Sequence, residues 1–301
     1  VTTNYPGAGN HQGQRGSPMR GDGDGWVIGA RGARRWGKHG AAGLLLRCPD
    51  EQGEPTVLLQ HRAPWCHHGD TWGLPGGARD SHETPIRAAL REAREETGIP
   101  ADAVRVRASR ATPFEGTGWE YTTVVADIAT RPGTTPNAEG IELRWVPEPE
   151  VAGYPLHPGL AAAWPELQLE KVRVIVDTAN VVGSRANGWW RDRAAATRAL
   201  AEEIAESLPI TCPFTDGRYG WINHIEMVLE GQARGTGDAA IQPAGITFHR
   251  APGSGDDHIV ELAREEAPLR TVVITADRGL KERLPDDAAA WGPKRLLGWL
   301  P

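Results

Sequence analysis

A chain of 301 residues is longer than one ordinary domain and comfortable for two, each with enough volume to bury a core. With 39% hydrophobic and 24% charged residues and no run of about 18 apolar residues, it reads as a soluble globular protein with no membrane span. The net charge of −6 excludes a general basic footprint for nucleic acid, so any such contact has to be argued from a local site.

Residues 1–37 are rich in Gly, Asn, Gln and Arg without a hydrophobic period, and are expected to be disordered or loosely attached. They lack the apolar segment of a secretory signal, and Met19 is a candidate true start, which N-terminal mass spectrometry of the native protein would check. Three scattered cysteines, Cys48, Cys66 and Cys212, fit a reducing cytoplasm, and the abundance of Arg, Ala, Gly and Pro over Lys fits a GC-rich bacterial genome. Cys66-His67-His68 has the chemistry of a metal site, but no Cys or His partner lies at structural-zinc spacing, so none is expected there.

The apolar run from Ala41 to Leu46 reads as a buried strand, and Thr56 to His61 as a second, joined by a polar turn at residues 50–53. A helix follows from Pro85, with Thr84 as its cap and Gly98 as its end. Ile86, Ala89, Leu90 and Ala93 recur at helical spacing and predict the buried stripe. Glu92, Glu95 and Glu96 stand at i, i+3 and i+4, where like charges repel unless a hard divalent cation joins them. Oxygen-only ligands suit Mg²⁺ or Mn²⁺, and such ions commonly bridge carboxylates to substrate phosphates. Before the helix, the loop Trp72-Gly73-Leu74-Pro75-Gly76-Gly77 allows a close approach of backbone to ligand. Strands are predicted at residues 104–108, 121–128 and 141–146, then a helix at 160–164, which Pro165 is expected to close.

Gly77, Glu83 and the run Arg91-Glu92-Ala93-Arg94-Glu95-Glu96-Thr97-Gly98-Ile99 together match every fixed position of the Nudix box, and residues 38–168 resemble the Nudix hydrolases. The resemblance implies an α/β/α sandwich with a mixed sheet and hydrolysis of a nucleoside diphosphate linked to another group, of the nucleoside triphosphate or ADP-ribose type. It implies that Glu92, Glu95 and Glu96, with the Gly77 carbonyl, hold Mg²⁺, that Arg91 braces the carboxylates, and that Glu83 completes or supports the shell. For the general base the candidates are Glu139, in a position resembling the loop glutamate of MutT-like enzymes, then Glu142, then Glu96. Trp65, Trp119 and Tyr121 are candidates to stack on a nucleobase. The rival reading is a sensor that binds a nucleotide and controls the attached domain without turnover.

From Lys171 the pattern changes to wholly apolar strands alternating with helices, which predicts a second α/β domain at 171–301 with a mainly parallel sheet. Asp177, Glu230 and Asp277 each follow a hydrophobic strand and Asp256-Asp257 opens a helix, so several carboxylates are expected on one sheet edge, where divalent metal can activate water against a phosphodiester. The segments Asp177-Thr178-Ala179-Asn180, Gly255-Asp256-Asp257-His258-Ile259 and Thr275-Ala276-Asp277-Arg278-Gly279-Leu280 resemble the NYN/PIN-like nucleases. That likeness implies a metal core of Asp177, Asp257 and Asp277, with Asn180 orienting the first strand end, Asp256 or Glu230 assisting, and RNA as partner; which of the adjacent Asp256 and Asp257 points inward the sequence leaves open. Basic residues are scattered, among them Arg185, Arg191, Arg193, Arg278 and Arg283, and Trp189-Trp190 is a candidate stacking pair. No oligomeric state is specified.

Overall fold

The computed structural model describes residues 21–300, apart from 115, 138–139, 187, 237–241 and 267–268. The chain opens on a hairpin, β1 (Trp26–Ile28) and β2 (Arg34–Trp36), in which Trp26 pairs with Trp36 and their rings meet edge-on at 5.2 Å. This corrects the expectation of a loose segment for residues 21–37; residues 1–20, with the candidate start Met19, lie outside the described residues. The hairpin is closed by Gly37 N–H to the Gly25 carbonyl at 2.7 Å, and tied down where Gly23 N–H donates to Asp80 at 2.9 Å. Low average hydrophobicity hid one cross-strand aromatic pair, which is enough to order a short ribbon once it is anchored.

The first large sheet contains β3 (Ala41–Pro49), β4 (Pro55–Arg62), β5 (Trp72–Gly73) and β6 (Gly76–Ala78), followed by helix α1 (Pro85–Thr97). It continues with β7 (Arg105–Phe114), β8 (Trp119–Asp127) and β9 (Gly140–Pro147), and is followed by helix α2 (Pro158–Leu167). Its strands run β5-β4-β3-β8-β7, with β6 against β3 and β9 against β4. β3 is parallel to β8 and antiparallel to β4 and β6, so the sheet is mixed as expected. Alternate residues of β3 serve opposite layers: Leu44 and Leu46 pack under α1, and Leu45 packs under α2 with Leu160, Trp164 and Leu167.

Thr84 accepts the Arg87 N–H and Gly98 ends α1 at φ 78, as its sequence predicts. The buried stripe agrees with the expected one at Ala89 and Ala93, with Leu90 packed against the same core, and differs from it at Ile86, whose place Ala88 takes. Ala88, Ala89 and Ala93 face the sheet, whereas Ile86 is exposed. Alanines let the helix lie close to the strands, and this docking turns Glu92 and Glu96 toward β6. α2 also departs from expectation, because it runs through Pro165 to Leu167. A proline near the end forfeits one hydrogen bond, and burial of Trp164 and Leu167 outweighs that loss.

The second sheet is built on β10 (Leu169–Asp177), which starts directly after α2 and leads into α3 (Thr178–Gly183) and α4 (Arg193–Ser207). Then come β11 (Ile210–Pro213), β12 (Tyr219–Ile222), β13 (Ile225–Leu229), β14 (Ile246–Arg250), α5 (Gly255–Arg264), β15 (Arg270–Ile274), α6 (Arg278–Lys281), β16 (Ala289–Trp291) and α7 (Pro293–Leu297). β10 runs parallel to β12, β13 and β15, and only the β11–β12 ribbon is antiparallel among the described pairs. A mainly parallel sheet is therefore present. The two sheets meet through a buried bond from the Thr211 N–H to Asp127 at 2.8 Å, and through Trp221 and Asn223, which both donate to the Gly53 carbonyl. Among the described residues no helix is long and apolar enough to cross a membrane.

Candidate active site

A cavity of about 870 Å³ opens beside α1 and β6. Gly77, Glu92 and Glu95 line it together with Arg91. A Cβ on Gly77 would stand 2.7 Å from the Glu92 carboxyl group, so the absence of a side chain there is what lets that carboxylate rest against the strand. Glu95 is the exposed member of the set, with 54% of its side chain accessible and its carboxylate 3.7 Å from Arg91.

Arg91 organises the rest. Its Nε and Nη2 donate to the two oxygens of Glu83 at 2.8 and 3.0 Å, its Nη1 donates to Glu92 at 2.8 Å, and Nη2 also reaches the Ala78 carbonyl at 3.0 Å. One guanidinium thus fixes the β6 backbone, Glu83 and Glu92 relative to each other. Glu83 is held below the usual carboxylate range, chiefly by its hydrogen bonds from Arg91. Its two oxygens are engaged by that arginine, which makes Glu83 a brace for the site.

Glu96, grouped with the metal-facing glutamates at the sequence level, is 3% exposed and accepts the Gly76 N–H at 2.7 Å. It pins the glycine loop to the helix. Of the base candidates, Glu139 lies outside the described residues. Glu142 is half-buried on β9 and paired with Arg144, and is not among the residues that line the cavity.

All three aromatic candidates line the cavity, in different ways. Trp65 is 77% exposed and free to offer a ring face. Trp119 is buried, and its indole N–H donates to the Gly37 carbonyl at 2.7 Å, which ties β8 to the hairpin. The Tyr121 phenol is pushed up by burial and by the carboxylates of Glu96 and Glu92, so it stays protonated. Sequence reading missed Trp26 and Trp36, whose rings are each about four-tenths exposed on the same cavity, and Arg34, Arg35 and Arg62 beside them. The pair of tryptophans in an otherwise polar segment was the available signal.

His67, His68 and His157 line the cavity as well. Burial, then the positive charges of His68, Arg62 and their neighbours, lowers His157 to about 4, and burial likewise lowers His67.

On the second sheet, Asp177 ends β10, is almost fully buried, accepts the Thr275 hydroxyl at 2.8 Å and caps α3 through the Asn180 N–H. Asn180 in turn accepts the Ala276 N–H at 2.8 Å, joining the ends of β10 and β15. Glu230 accepts the Gly255 N–H at 2.9 Å and Asp277 caps α6. Burial first, then the charges of Asp256 and Glu230, raises Asp177, while burial, Asp277 and Glu230 raise Asp256. Asp257, placed in the metal core by likeness, turns outward to an ion pair with Arg283, and Asp256 faces the cluster instead. Residues one apart on a helix point about 100° from each other, so only the docking of α5 decides which faces inward. Trp189 packs on the core and carries Arg193 over its ring at 5.1 Å, leaving Trp190 exposed.

A mixed sheet between two helical layers, with a glycine loop and a glutamate-bearing helix braced by one arginine, defines an α/β sandwich with an acidic site on its central helix. A family model described as the NUDIX domain matches residues 37–167. A Mycobacterium tuberculosis protein provisionally named 8-oxo-dGTP diphosphatase 3 is 58% identical over 154 residues, covering 50% of this chain and 71% of that one. A Bifidobacterium longum nucleoside triphosphate pyrophosphatase/Nudix hydrolase fusion protein is 43% identical over 151 residues, 48% of this chain and 30% of its own length. Among solved structures, the Nudix hydrolase RenU of M. smegmatis is 58% identical, covers 48% of this chain and 91% of its own, and superposes with a TM-score of 0.46. The chain belongs to the Nudix family.

Proposed function

We propose that the protein is an Mg²⁺-dependent pyrophosphohydrolase that cleaves the phosphoric anhydride of a nucleoside triphosphate, with an oxidised deoxynucleoside triphosphate as the preferred class. The observation that carries this reading is that Glu92, Glu95 and Gly77 line a cavity whose walls also bear exposed tryptophan rings and arginines. The donor set fits a hard divalent ion: carboxylates braced by Arg91, a neighbouring glycine backbone, and no thiol among them. Glu92 and Glu95 would hold the ion, which when bound neutralises diphosphate charge and acidifies a water. Arg91 holds Glu92 in place, Glu96 holds the glycine loop against α1, and Trp26, Trp36 and Trp65 offer ring faces for a base. The name of the mycobacterial relative favours the oxidised guanine nucleotide over ADP-ribose.

The test is a panel of oxidised and normal nucleoside triphosphates and ADP-ribose with Mg²⁺, followed by chromatography. Release of nucleoside monophosphate, fastest from 8-oxo-dGTP, is expected. Binding without cleavage across the panel would instead establish the sensor.

For the second sheet the gathering of Asp177, Asp256, Asp277 and Glu230 favours a metal-dependent ribonuclease of the NYN/PIN-like kind, located in the cytoplasm with the nucleotide activity. Their mutual electrostatic strain is relieved by a divalent cation. Labelled RNA with Mn²⁺ is expected to be cut by the wild type and left intact by Asp177→Asn. Equal cutting by both would remove these carboxylates from the reaction.

A further inference from the structure

We propose that His67, His68 and His157 form a second metal site, separate from the glutamates of α1, which takes a transition-metal ion of the Zn²⁺ class through three imidazole nitrogens. One ligand atom from each lies within 4.8 Å of the other two. Ligands around a tetrahedral zinc at about 2.0–2.1 Å stand roughly 3.3 Å apart, so small ring rotations close the set. Imidazole nitrogen suits Zn²⁺ and its neighbours and discriminates against Mg²⁺, which keeps the two sites chemically distinct.

Two features of the backbone build this cluster. In an extended chain His67 and His68 would point to opposite sides. His68 instead adopts φ 55, a left-handed conformation uncommon outside glycine, and the two rings meet with centroids 4.1 Å apart. The loop that carries them is held by Arg62 N–H to the Thr71 carbonyl, Asp70 N–H to the Arg62 carbonyl and the Thr71 hydroxyl to the His68 carbonyl. The third ligand comes from far along the chain. Trp72 N–H donates to the Pro155 carbonyl and His157 N–H to the Trp72 carbonyl at 2.7 Å, which brings the His157 ring within 4.8 Å of the His68 ring, nearly perpendicular to it.

In the present arrangement His157 Nδ1 accepts the Gly159 N–H at 3.1 Å, so its proton sits on Nε2. Ligation through Nε2 moves that proton to Nδ1 and gives up the bond from Gly159. Three protein ligands leave a fourth position for water or an anionic oxygen, and the three histidines line the same cavity as Glu92 and Glu95.

The experiment titrates Co²⁺ into the chelator-treated full chain in excess Mg²⁺, follows visible absorption, and displaces Co²⁺ with Zn²⁺. One four-coordinate spectrum is expected, retained in a Glu92→Gln/Glu95→Gln double variant and weakened at least 10-fold in His67→Ala. His157→Asn keeps a capping side chain on α2, so its circular dichroism is expected to match wild type while Co²⁺ affinity falls comparably. Unchanged affinity in both histidine variants, or loss of the spectrum in the glutamate double variant, would overturn the proposal.

Discussion

Replacing Glu95 by glutamine is expected to reduce Mg²⁺-dependent nucleotide hydrolysis by at least about 10²-fold while leaving stability unchanged. The two halves of that expectation have separate physical grounds. Glu95 is the exposed glutamate on the cavity wall, and its ion pair with Arg91 at 3.7 Å is of the solvent-screened kind that contributes little to stability. Glutamine keeps its size and its helix propensity. What it removes is a full negative charge from an oxygen that would face a divalent ion, and interactions of that kind carry several kcal/mol of transition-state stabilisation. The measurement is kcat/KM against Mg²⁺ concentration on the best substrate of the panel, with thermal melting on the same samples. A folded variant with wild-type turnover would take α1 out of the catalytic site.

The second large effect is on stability. Arg47 on β3 is completely buried, and its Nε and Nη2 donate to both oxygens of Glu148 at 3.1 and 3.0 Å, with Nη2 also donating to the Leu167 carbonyl at 2.6 Å. Glu148 accepts the Leu169 N–H at 3.0 Å as well. The group therefore joins the centre of the first sheet to the end of α2 and the start of β10. Arg47→Ala strands a buried carboxylate and a buried carbonyl, and breaking such a pair from one side costs about 3–5 kcal/mol. The urea midpoint is expected to fall with an unchanged slope. Replacing both partners, as in Arg47→Met/Glu148→Leu, is expected to recover most of the loss, because the cost lies in the unpaired charge more than in the missing bond. A double variant as unstable as the single one would show that packing around Arg47, not its charge, holds the junction.

Local chemistry accounts for what was legible early. Thr84, Pro85 and Gly98 set the limits of α1 through interactions within a few residues of each end, and the β3 and β4 strands declared themselves by unbroken apolar runs. Details that depend on how one element docks on another were misread. Periodicity placed Ala89, Leu90 and Ala93 on the sheet side rightly, but the sheet takes Ala88 in place of Ile86, and the same docking buries Glu96. Asp256 and Asp257 are equivalent by composition, and α5 packing separates them.

By itself the sequence determined the family, the glutamate helix and the presence of two α/β sheets, because caps, periods and a fully spaced motif are short-range properties. Tertiary structure alone decided that the tryptophan hairpin walls the cavity, that Arg91 ties Glu83 to Glu92, and that His157 meets His67 and His68. Those meetings depend on strand register and loop closure, which join residues remote in the chain and leave no periodic trace in it.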